Sequence, residues 1–365
     1  MLEPASHPAS GDNRRPACLI DRLQLQPRRS AAQPGHARPS ARKHRLSTTV
    51  DRDHIVWAYR LLLGRDPESQ TVVDQHLGQT LRGLRESFLR SDEYRALAGR
   101  RDAAARTPAQ GVTIEQLQSP ETLALLLDHV GAEWSKLGEL EPHWSVLTAE
   151  KYRSGQIGQH LADFQRSGAD EVLQLDAVLR RNQLDWPRQG LCIEYGCGVG
   201  RVTLPLAAHC ARVLGVDISA GHLRLAADAA AAQGLTDKLQ WLHLKTLADL
   251  DALPPADMVY SAIVLQHNPP PVIELTLRRL LHCLKPGGVA VFQLPTHIPG
   301  YRFVVAEYLQ ALRAGQHQGM EMHMLPQARV FEIIDAAGCR PCEVFSDDAA
   351  GPVYTSHTFV VRARA

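Results

Sequence analysis

The sequence is poor in aromatic residues, close to neutral, and lacks a long uninterrupted apolar segment. Aromatic residues occupy 5% of its 365 positions, and 40 basic against 39 acidic side chains leave a formal net charge of +1. A charge so close to zero produces no overall field that would attract nucleic acid or an anionic membrane. No apolar run approaches the ~20 residues that a membrane-spanning helix needs. We therefore expect neither a nucleic-acid partner nor a membrane span.

Signs of export and of metal binding are also missing. Residues 1–30 contain no uninterrupted apolar core of a secretory signal. Seven cysteines, an odd number at scattered positions, favour reduced thiols and a cytoplasmic location. Cys339 and Cys342 have C-x-x-C spacing, but one such pair is weak evidence for zinc, so we interpret these thiols as structural. No grouping of His, Asp and Glu has the spacing of a metal site, and we predict none.

The most informative segment is residues 191–201, where an apolar run meets a glycine-rich loop. The run leads to a carboxylate, Glu194, and glycines follow at alternate positions: Gly196, Gly198 and Gly200. A helical pattern comes next, so the order predicts a buried parallel strand that turns sharply into a helix. Glycines permit positive φ and let the backbone approach a bound molecule, and a helix N-terminus offers free N–H groups. We predict a nucleotide-like cofactor at this loop.

The spacing of the loop separates two classes of cofactor. The dinucleotide fingerprint has its third glycine at the sixth position, which is Arg201 in this sequence. Glu194 would repel a pyrophosphate but suits a cationic sulfonium or ammonium group. An acidic residue followed by G-x-G-x-G resembles motif I of the class I S-adenosylmethionine-dependent methyltransferases. The resemblance implies S-adenosylmethionine as the cofactor, and it disfavours the alternative, an NAD-dependent oxidoreductase.

The next strand supports the same resemblance. Residues 212–217 are predicted to form a strand that ends at Asp217, one βαβ step after Glu194. An Asp at such a strand end can accept hydrogen bonds from both ribose hydroxyls. Ile218 would then lie against the adenine, and Ser219 is well placed to cap the following helix.

The later strands follow in the order of the family. Residues 257–262 and 289–294 resemble its fourth and fifth strands, and residues 342–346 and 355–361 resemble its closing hairpin. The resemblance covers roughly residues 185–363. It implies an α/β fold with a Rossmann-like seven-stranded methyltransferase sheet, mostly parallel with a C-terminal antiparallel hairpin, beside an N-terminal all-α module.

One segment departs from the family, which commonly places an acidic or polar side chain near the adenine after the third strand. Here Lys245 and Thr246 stand at that position and the first carboxylate is Asp249. Thr246, Asp249 and a backbone carbonyl therefore stay open as the adenine contact. The predicted cofactor-binding residues are Glu194, Gly196, Cys197, Gly198, Gly200, Arg201, Asp217, Ile218, Thr246, Ser261 and Gln266.

The acceptor of the methyl group is expected at the end of the fourth strand, on the loop from Ser261 to Pro271. Its prolines fix the path of the loop, which offers Gln266, His267 and Asn268 at a rigid rim. His267 is the first candidate for a catalytic base, because imidazole can take a hydroxyl proton near neutral pH. A role in cofactor contact or loop packing is the alternative.

Four further residues are candidates for contact with the acceptor: Tyr152, Thr296, Tyr308 and His323. Tyr152 and its neighbour Trp144 are candidate lid residues of a helical cap. They can equally be core aromatic residues of that cap, and His323 can equally serve as a capping or packing residue.

The N-terminal part of the chain has a different character. Residues 1–47 are rich in Pro, Arg, Ser and Ala and are predicted to be a disordered basic tail. Residues 48–100 show helical periodicity, with Ile55, Tyr59, Leu62 and Leu63 on one face.

Within this helical module, residues 58–67 and 88–94 resemble a small bacterial helical domain of unknown function. That domain occurs beside glycosyltransferases and in polysaccharide-related proteins, which suggests a docking or spacer role. We further predict a linker at 101–119, a helical cap at 120–184 and the methyltransferase domain at 185–365.

The resulting hypothesis is methyl transfer from S-adenosylmethionine to a hydroxyl, or less readily an amine, of a saccharide or related small molecule. The saccharide part depends on the neighbouring module alone, which is an argument by association. A scaffold that binds the cofactor without doing chemistry is the second alternative beside the oxidoreductase.

Overall fold

The computed structural model describes residues 49–63, 65–95, 113–115, 118–317, 319–351 and 353–364. The predicted basic tail and most of the predicted linker lie outside the described residues. The domain boundaries drawn from the sequence therefore stay predictions.

The N-terminal region is helical, as the periodicity predicted. Its helices begin after the side-chain caps Asp51, Ser69 and Thr80, each of which accepts a backbone N–H of the first turn. Ile55, Tyr59, Val73, Leu84 and Phe88 pack in a small core of their own. The elements are α1 Arg52–Ala58, a π-helical turn Tyr59–Leu63, α2 Gln70–His76 and α3 Leu81–Arg90.

Three further helices lie between residue 118 and the first strand of the main sheet. They are α4 Pro120–Leu140, α5 Pro142–Val146 and α6 Ile157–Arg181, with a 3₁₀ turn Glu150–Tyr152 between the last two. Ser119 caps α4, and Pro120 occupies its first turn, where a missing N–H costs nothing. In α6 the buried positions recur at three- and four-residue steps along one face, and they are Phe164, Gly168, Val172, Leu175, Val178 and Leu179.

The main sheet has seven strands: β2 Leu191–Tyr195, β3 Arg212–Asp217, β4 Leu239–His243, β5 Ala256–Ser261, β6 Leu284–His297, β8 Cys339–Asp347 and β9 Thr355–Ala363. Their order in the sheet is β4-β3-β2-β5-β6-β9-β8, and β9 runs antiparallel to the other six strands. This topology confirms the predicted fold class. A separate parallel pair joins β1 Thr113–Ile114 to β7 Arg302–Phe303.

Both faces of the sheet are covered, which explains why β2 is buried at every position. Ile193 and Tyr195 belong to one apolar core, whereas Cys192 belongs to the core on the opposite face. The remaining helices are α7 Thr203–Leu206, α8 Ala220–Ala232, α9 Leu247–Asp251, α10 Pro270–His282, α11 Val305–Arg313 and α12 Gln327–Ala336, and a 3₁₀ turn spans Leu265–His267. None of the described helices combines the length and the apolar character needed to cross a membrane.

Helix α6 touches the glycine-rich loop at Gly168. A Cβ placed on Gly168 would lie 1.9 Å from the backbone oxygen of Arg201, far inside van der Waals contact. Because a backbone carbonyl cannot rotate away as a side chain can, the helix and the loop can approach so closely only at a glycine.

We expect Gly168→Ala to lower the free energy of unfolding by about 1–3 kcal/mol, the usual cost of overpacking. Gly158→Ala is the matched control, because it lies in the same helix and its added Cβ meets nothing within 4 Å. The control should match wild type or exceed it by up to about 1 kcal/mol, since alanine has the higher helix propensity. Urea unfolding measures both, and equal stability of the two variants would contradict the close contact.

Candidate active site

The glycine-rich loop leaves β2 and turns at the carboxyl edge of the sheet. The N–H groups of Gly196 and Cys197 donate to the carbonyl of Val216, at 2.7 and 3.1 Å, and so fasten the loop to β3. Gly196 and Gly198 have φ of +76° and +53°. A Cβ on Gly196 would lie 2.3 Å from Val264, so that position accepts only glycine.

Asp217 stands at the end of β3 and faces the same cleft. Its two carboxylate oxygens accept the backbone N–H groups of Gly198 and Ser219, each at 2.8 Å. Asp217 is 8% exposed and lines the cleft together with Ile218. Each oxygen retains a further lone pair, so the side chain can also accept hydroxyl groups of a ligand.

Glu194 lies deeper in the cleft. It is 5% exposed and accepts the hydroxyl of Thr203. Burial raises its pKa to about 8, and the neighbouring carboxylates of Glu171 and Asp217 act in the same direction. A buried carboxylic acid with such a pKa favours a positive charge beside it, because a cation stabilises its ionised form.

We expect the affinity for S-adenosylmethionine to rise with pH below 8 and to level off above it. A cationic ligand lowers the pKa of Glu194, so binding releases a proton wherever the free protein holds Glu194 protonated. The slope approaches about tenfold per pH unit when one proton is released. Titration calorimetry from pH 6.5 to 9 measures this slope. Glu194→Gln is the control, and an identical slope in both proteins would contradict the assignment.

Arg201 is not a free cation in the cleft. Its side chain is 8% exposed and pairs with Glu171 of α6. Glu171 also accepts the hydroxyl of Tyr260 at 2.6 Å. The guanidinium is therefore neutralised by a carboxylate and is not available to hold a diphosphate. Glu171 could not be identified from the sequence, because nothing in a single sequence shows that α6 lies against the loop.

Helices α4 and α5, which precede the main sheet, cover one side of the cleft. Their lining residues are Val130 and Trp134 of α4 and Ser145 and Val146 of α5. Trp134, rather than the predicted lid residue Trp144, occupies this place, and its ring lies 5.1 Å from that of His267.

His222 is a second cleft residue that the sequence analysis missed. Its Nε2 lies 2.9 Å from the hydroxyl of Ser145 and 3.1 Å from the carbonyl of Pro142. Its Nδ1 is buried without a hydrogen-bond partner, 3.8 Å from a carboxylate oxygen of Asp217. An unpartnered ring nitrogen beside Asp217 is suited to a ligand hydroxyl.

His267 lines the cleft from the 3₁₀ turn after β5. Its Nδ1 lies 2.8 Å from the carbonyl of Glu321, and because a carbonyl only accepts, Nδ1 carries the proton. The lone pair is then on Nε2. Burial of the ring lowers the pKa of His267 to about 4, so the imidazole is neutral at physiological pH and able to accept a proton.

Between β5 and this turn the chain adopts a strained conformation at Ile263. Its φ is +60°, which is rare for a β-branched residue. The amide of Gln293 holds it in place, accepting the N–H of Ile263 at 2.8 Å and donating to Gln266 and Ser356. Strain supported in this way is typical of functional sites.

Seven of the residues predicted to bind the cofactor do line this cleft: Glu194, Gly196, Cys197, Gly198, Arg201, Asp217 and Ile218. The other four have different surroundings. Gly200 turns the loop into α7, where a Cβ would meet Leu204 at 2.5 Å. Thr246 is exposed and caps α9 with Asp249, and Gln266 is bound to Gln293. Ser261 lines a second cavity next to the cleft.

The four predicted acceptor residues do not line the cleft either. Tyr152 packs edge-on against Phe164, which corresponds to the alternative of a core aromatic residue. Thr296 lies 2.8 Å from His357. Tyr308 and His323 both bind the carboxylate of Glu321, at 2.7 and 2.8 Å, and thereby position the segment whose backbone holds His267.

The polar groups that line the cleft fit a sulfonium nucleoside. The cleft offers acceptors for hydroxyl and cationic groups beside the glycine-rich loop. They are Asp217, the unpartnered ring nitrogen of His222 and the buried Glu194. A diphosphate would instead meet the carboxylate of Asp217, the buried acid of Glu194 and an arginine that is already paired. When bound, S-adenosylmethionine supplies an activated methyl group, and the protein has only to position it, exclude water and accept a proton.

Residues 192–288, from β2 into β6, match a family model described as a methyltransferase domain. Over these residues the match agrees with the resemblance to a methyltransferase domain that the sequence shows. A curated relative, the ubiquinone biosynthesis O-methyltransferase of Dinoroseobacter shibae, is 30% identical over 162 residues. The alignment covers 43% of this chain and 63% of the relative, so the chain spans less than two thirds of that protein.

Solved structures with a similar fold include two methyltransferases. The magnesium protoporphyrin IX methyltransferase of Synechocystis, with bound S-adenosylmethionine, is 16% identical, with 68% of this chain and 99% of that chain covered and a TM-score of 0.44. The N-methyltransferase NodS of Bradyrhizobium japonicum, with S-adenosylhomocysteine, is 16% identical, with 65% and 100% covered and a TM-score of 0.43.

Proposed function

We propose that this chain transfers the methyl group of S-adenosylmethionine to a hydroxyl, or less readily an amine, of a saccharide or related small molecule in the cytoplasm. One observation carries the proposal. Glu194 and Asp217, both buried, flank a glycine loop in a cleft whose arginine is neutralised by Glu171. That charge pattern suits a cationic nucleoside and opposes a dinucleotide.

The choice of acceptor has weaker support than the choice of cofactor. The relative named an O-methyltransferase favours an oxygen acceptor. The saccharide follows from the resemblance of residues 48–100 to a domain found beside glycosyltransferases. For that module we propose docking to a partner, a role that the exposed side chains Trp57 and Leu81 support.

Two measurements test the proposal. Calorimetric titration with S-adenosylhomocysteine and with NAD should show binding of the first alone. Incubation with labelled S-adenosylmethionine and a panel of saccharides should then show transfer of label. Tight binding of NAD alone would favour the oxidoreductase, and cofactor binding without transfer to any saccharide, phenol or amine would favour the scaffold.

A further inference from the structure

A second cavity of about 480 Å³ lies beside the cofactor cleft, within the size range of small-molecule sites. It is enclosed by α6, by the carboxyl ends of β5 and β6, and by the hairpin of β8 and β9. The residues that line both spaces form the wall between them: Glu171, Arg201, Tyr260, Ala262 and Ile263. A molecule in this cavity would therefore lie against the same wall as a ligand in the cleft.

The buried part of the lining is mainly apolar. Leu175 and Val178 of α6 and Val291 and Phe292 of β6 belong to it, and each is at most 8% exposed. Such side chains favour contact with an apolar ring or chain, because the contact removes apolar surface from water. They offer no hydrogen bond, so each ligand hydroxyl that is buried against them without a partner lowers the affinity.

The acidic side chains of the hairpin lie on the solvent side of the cavity. Asp347 is half-buried and accepts the N–H of Ala349 at 3.0 Å and the hydroxyl of Thr358 at 2.7 Å. Asp348 is exposed and also interacts within the protein. Neither aspartate belongs to the buried part of the lining, which therefore decides what kind of ligand body fits.

The buried polar side chains of the lining have partners, with one exception. The hydroxyl of Tyr260 donates to Glu171, and the amide of Gln293 makes three hydrogen bonds. Ser261 is 1% exposed, and its hydroxyl has no hydrogen-bond partner within the described part of the chain. A buried hydroxyl without a partner is costly, so Ser261 calls for a ligand group that supplies the missing bond.

We infer that this cavity is the acceptor site and that its acceptor has an apolar ring or chain and few hydroxyls, one of which bonds to Ser261. The inference rests on the proposed function and narrows its acceptor. An unmodified sugar carries a hydroxyl on almost every carbon and would bury most of them against apolar side chains. A saccharide fits only if an apolar substituent, such as an aryl or acyl group, occupies the cavity.

The first test compares probes that share a ring and differ in their number of hydroxyls. Cyclohexanol is paired with myo-inositol, and tetrahydropyran-2-methanol with 1,5-anhydroglucitol. Binding of each probe to the full chain is measured calorimetrically, with and without S-adenosylhomocysteine. In each pair we expect the probe with a single hydroxyl to bind about tenfold more tightly or better, since the polyol buries hydroxyls that find no hydrogen bond.

The second test locates the hydrogen bond at Ser261. Phenol and toluene have nearly the same shape, and only phenol has a hydroxyl. In Ser261→Ala the ratio of the affinities for phenol and toluene should fall about fivefold from its wild-type value, the scale of one net hydrogen bond. Ser346→Ala is the matched control, because Ser346 is an exposed serine of β8 outside the lining, and it should keep the wild-type ratio. Both variants should bind S-adenosylhomocysteine normally, which shows that they are folded.

The inference fails if no probe binds, if either polyol binds as tightly as its partner, or if Ser261→Ala keeps the wild-type ratio of phenol to toluene. Failure of the proposed function is a separate result, because it appears as absent binding of S-adenosylhomocysteine to the wild-type chain. The preference of the cavity for apolar probes is still measurable in that case.

Discussion

Replacement of His267 by alanine should lower kcat about 10²-fold, the lower end of the range for loss of a general base. The low end is expected because burial lowers the pKa of His267 to about 4, which makes the imidazole a weak base. Affinity for S-adenosylhomocysteine should stay unchanged if the role is proton transfer alone. Steady-state kinetics and calorimetry measure the two effects separately.

The pH profile gives an independent check on His267. The active form is the neutral imidazole, so activity that depends on it is lost only as pH falls through about 4. His282→Ala is the matched control, since His282 is an exposed histidine of α10. An acid limb near pH 6.5 that the variant removes, or an equal loss of kcat and of cofactor affinity, would contradict the assignment.

The sheet could be predicted from the sequence because its information is local. The central strands β2, β3 and β5 are short apolar runs, and Glu194 and Asp217 lie near the ends of two of them. The hairpin was predicted for the same reason, although β8 and β9 extend further than the apolar residues alone indicate. Strand β6 begins at Leu284, before the segment 289–294 that resembles the fifth strand of the family.

The residues that the sequence analysis missed reach the cleft from elements distant in the chain. Glu171, Trp134 and His222 face it only because α4, α6 and α8 converge on the loop. For Ser261 and Gln266 the position in the chain could be predicted from the sequence, but the direction of the side chain could not. Ser261 is the last residue of β5 and Gln266 lies in the turn that follows, but which cavity each side chain faces depends on the strained backbone at Ile263 and on its bond to Gln293.

Some side chains that face the cleft also hold the surrounding structure together. Asp217 is an acceptor for two backbone N–H groups as well as a candidate for the ribose. The wall that separates the cleft from the second cavity likewise depends on the pairing of Glu171 with Arg201 and Tyr260. Substitutions at such positions change both the fold and the affinity, so an informative experiment has to separate the two effects.

Asp217→Ala should weaken binding of S-adenosylhomocysteine about 10- to 150-fold, which corresponds to about 1.5–3 kcal/mol for hydrogen bonds to a charged group. Part of this loss would come from the loop, because Gly198 and Ser219 lose the carboxylate that accepts their N–H groups. Asp217→Asn is the matched variant, since the amide has the same shape but can accept only through its single oxygen. We expect its affinity to lie between those of Asp217→Ala and wild type.

A double-mutant cycle with a modified ligand separates the ribose contact from the order of the loop. Wild type should bind adenosine more tightly than 2′-deoxyadenosine, and Asp217→Ala should bind the two about equally, because the variant lacks the group that accepts the hydroxyl. Loop disorder alone would weaken both ligands by the same factor and leave their ratio as in wild type. That constant ratio, or an unchanged dissociation constant for S-adenosylhomocysteine, would refute the assignment of Asp217 to the ribose.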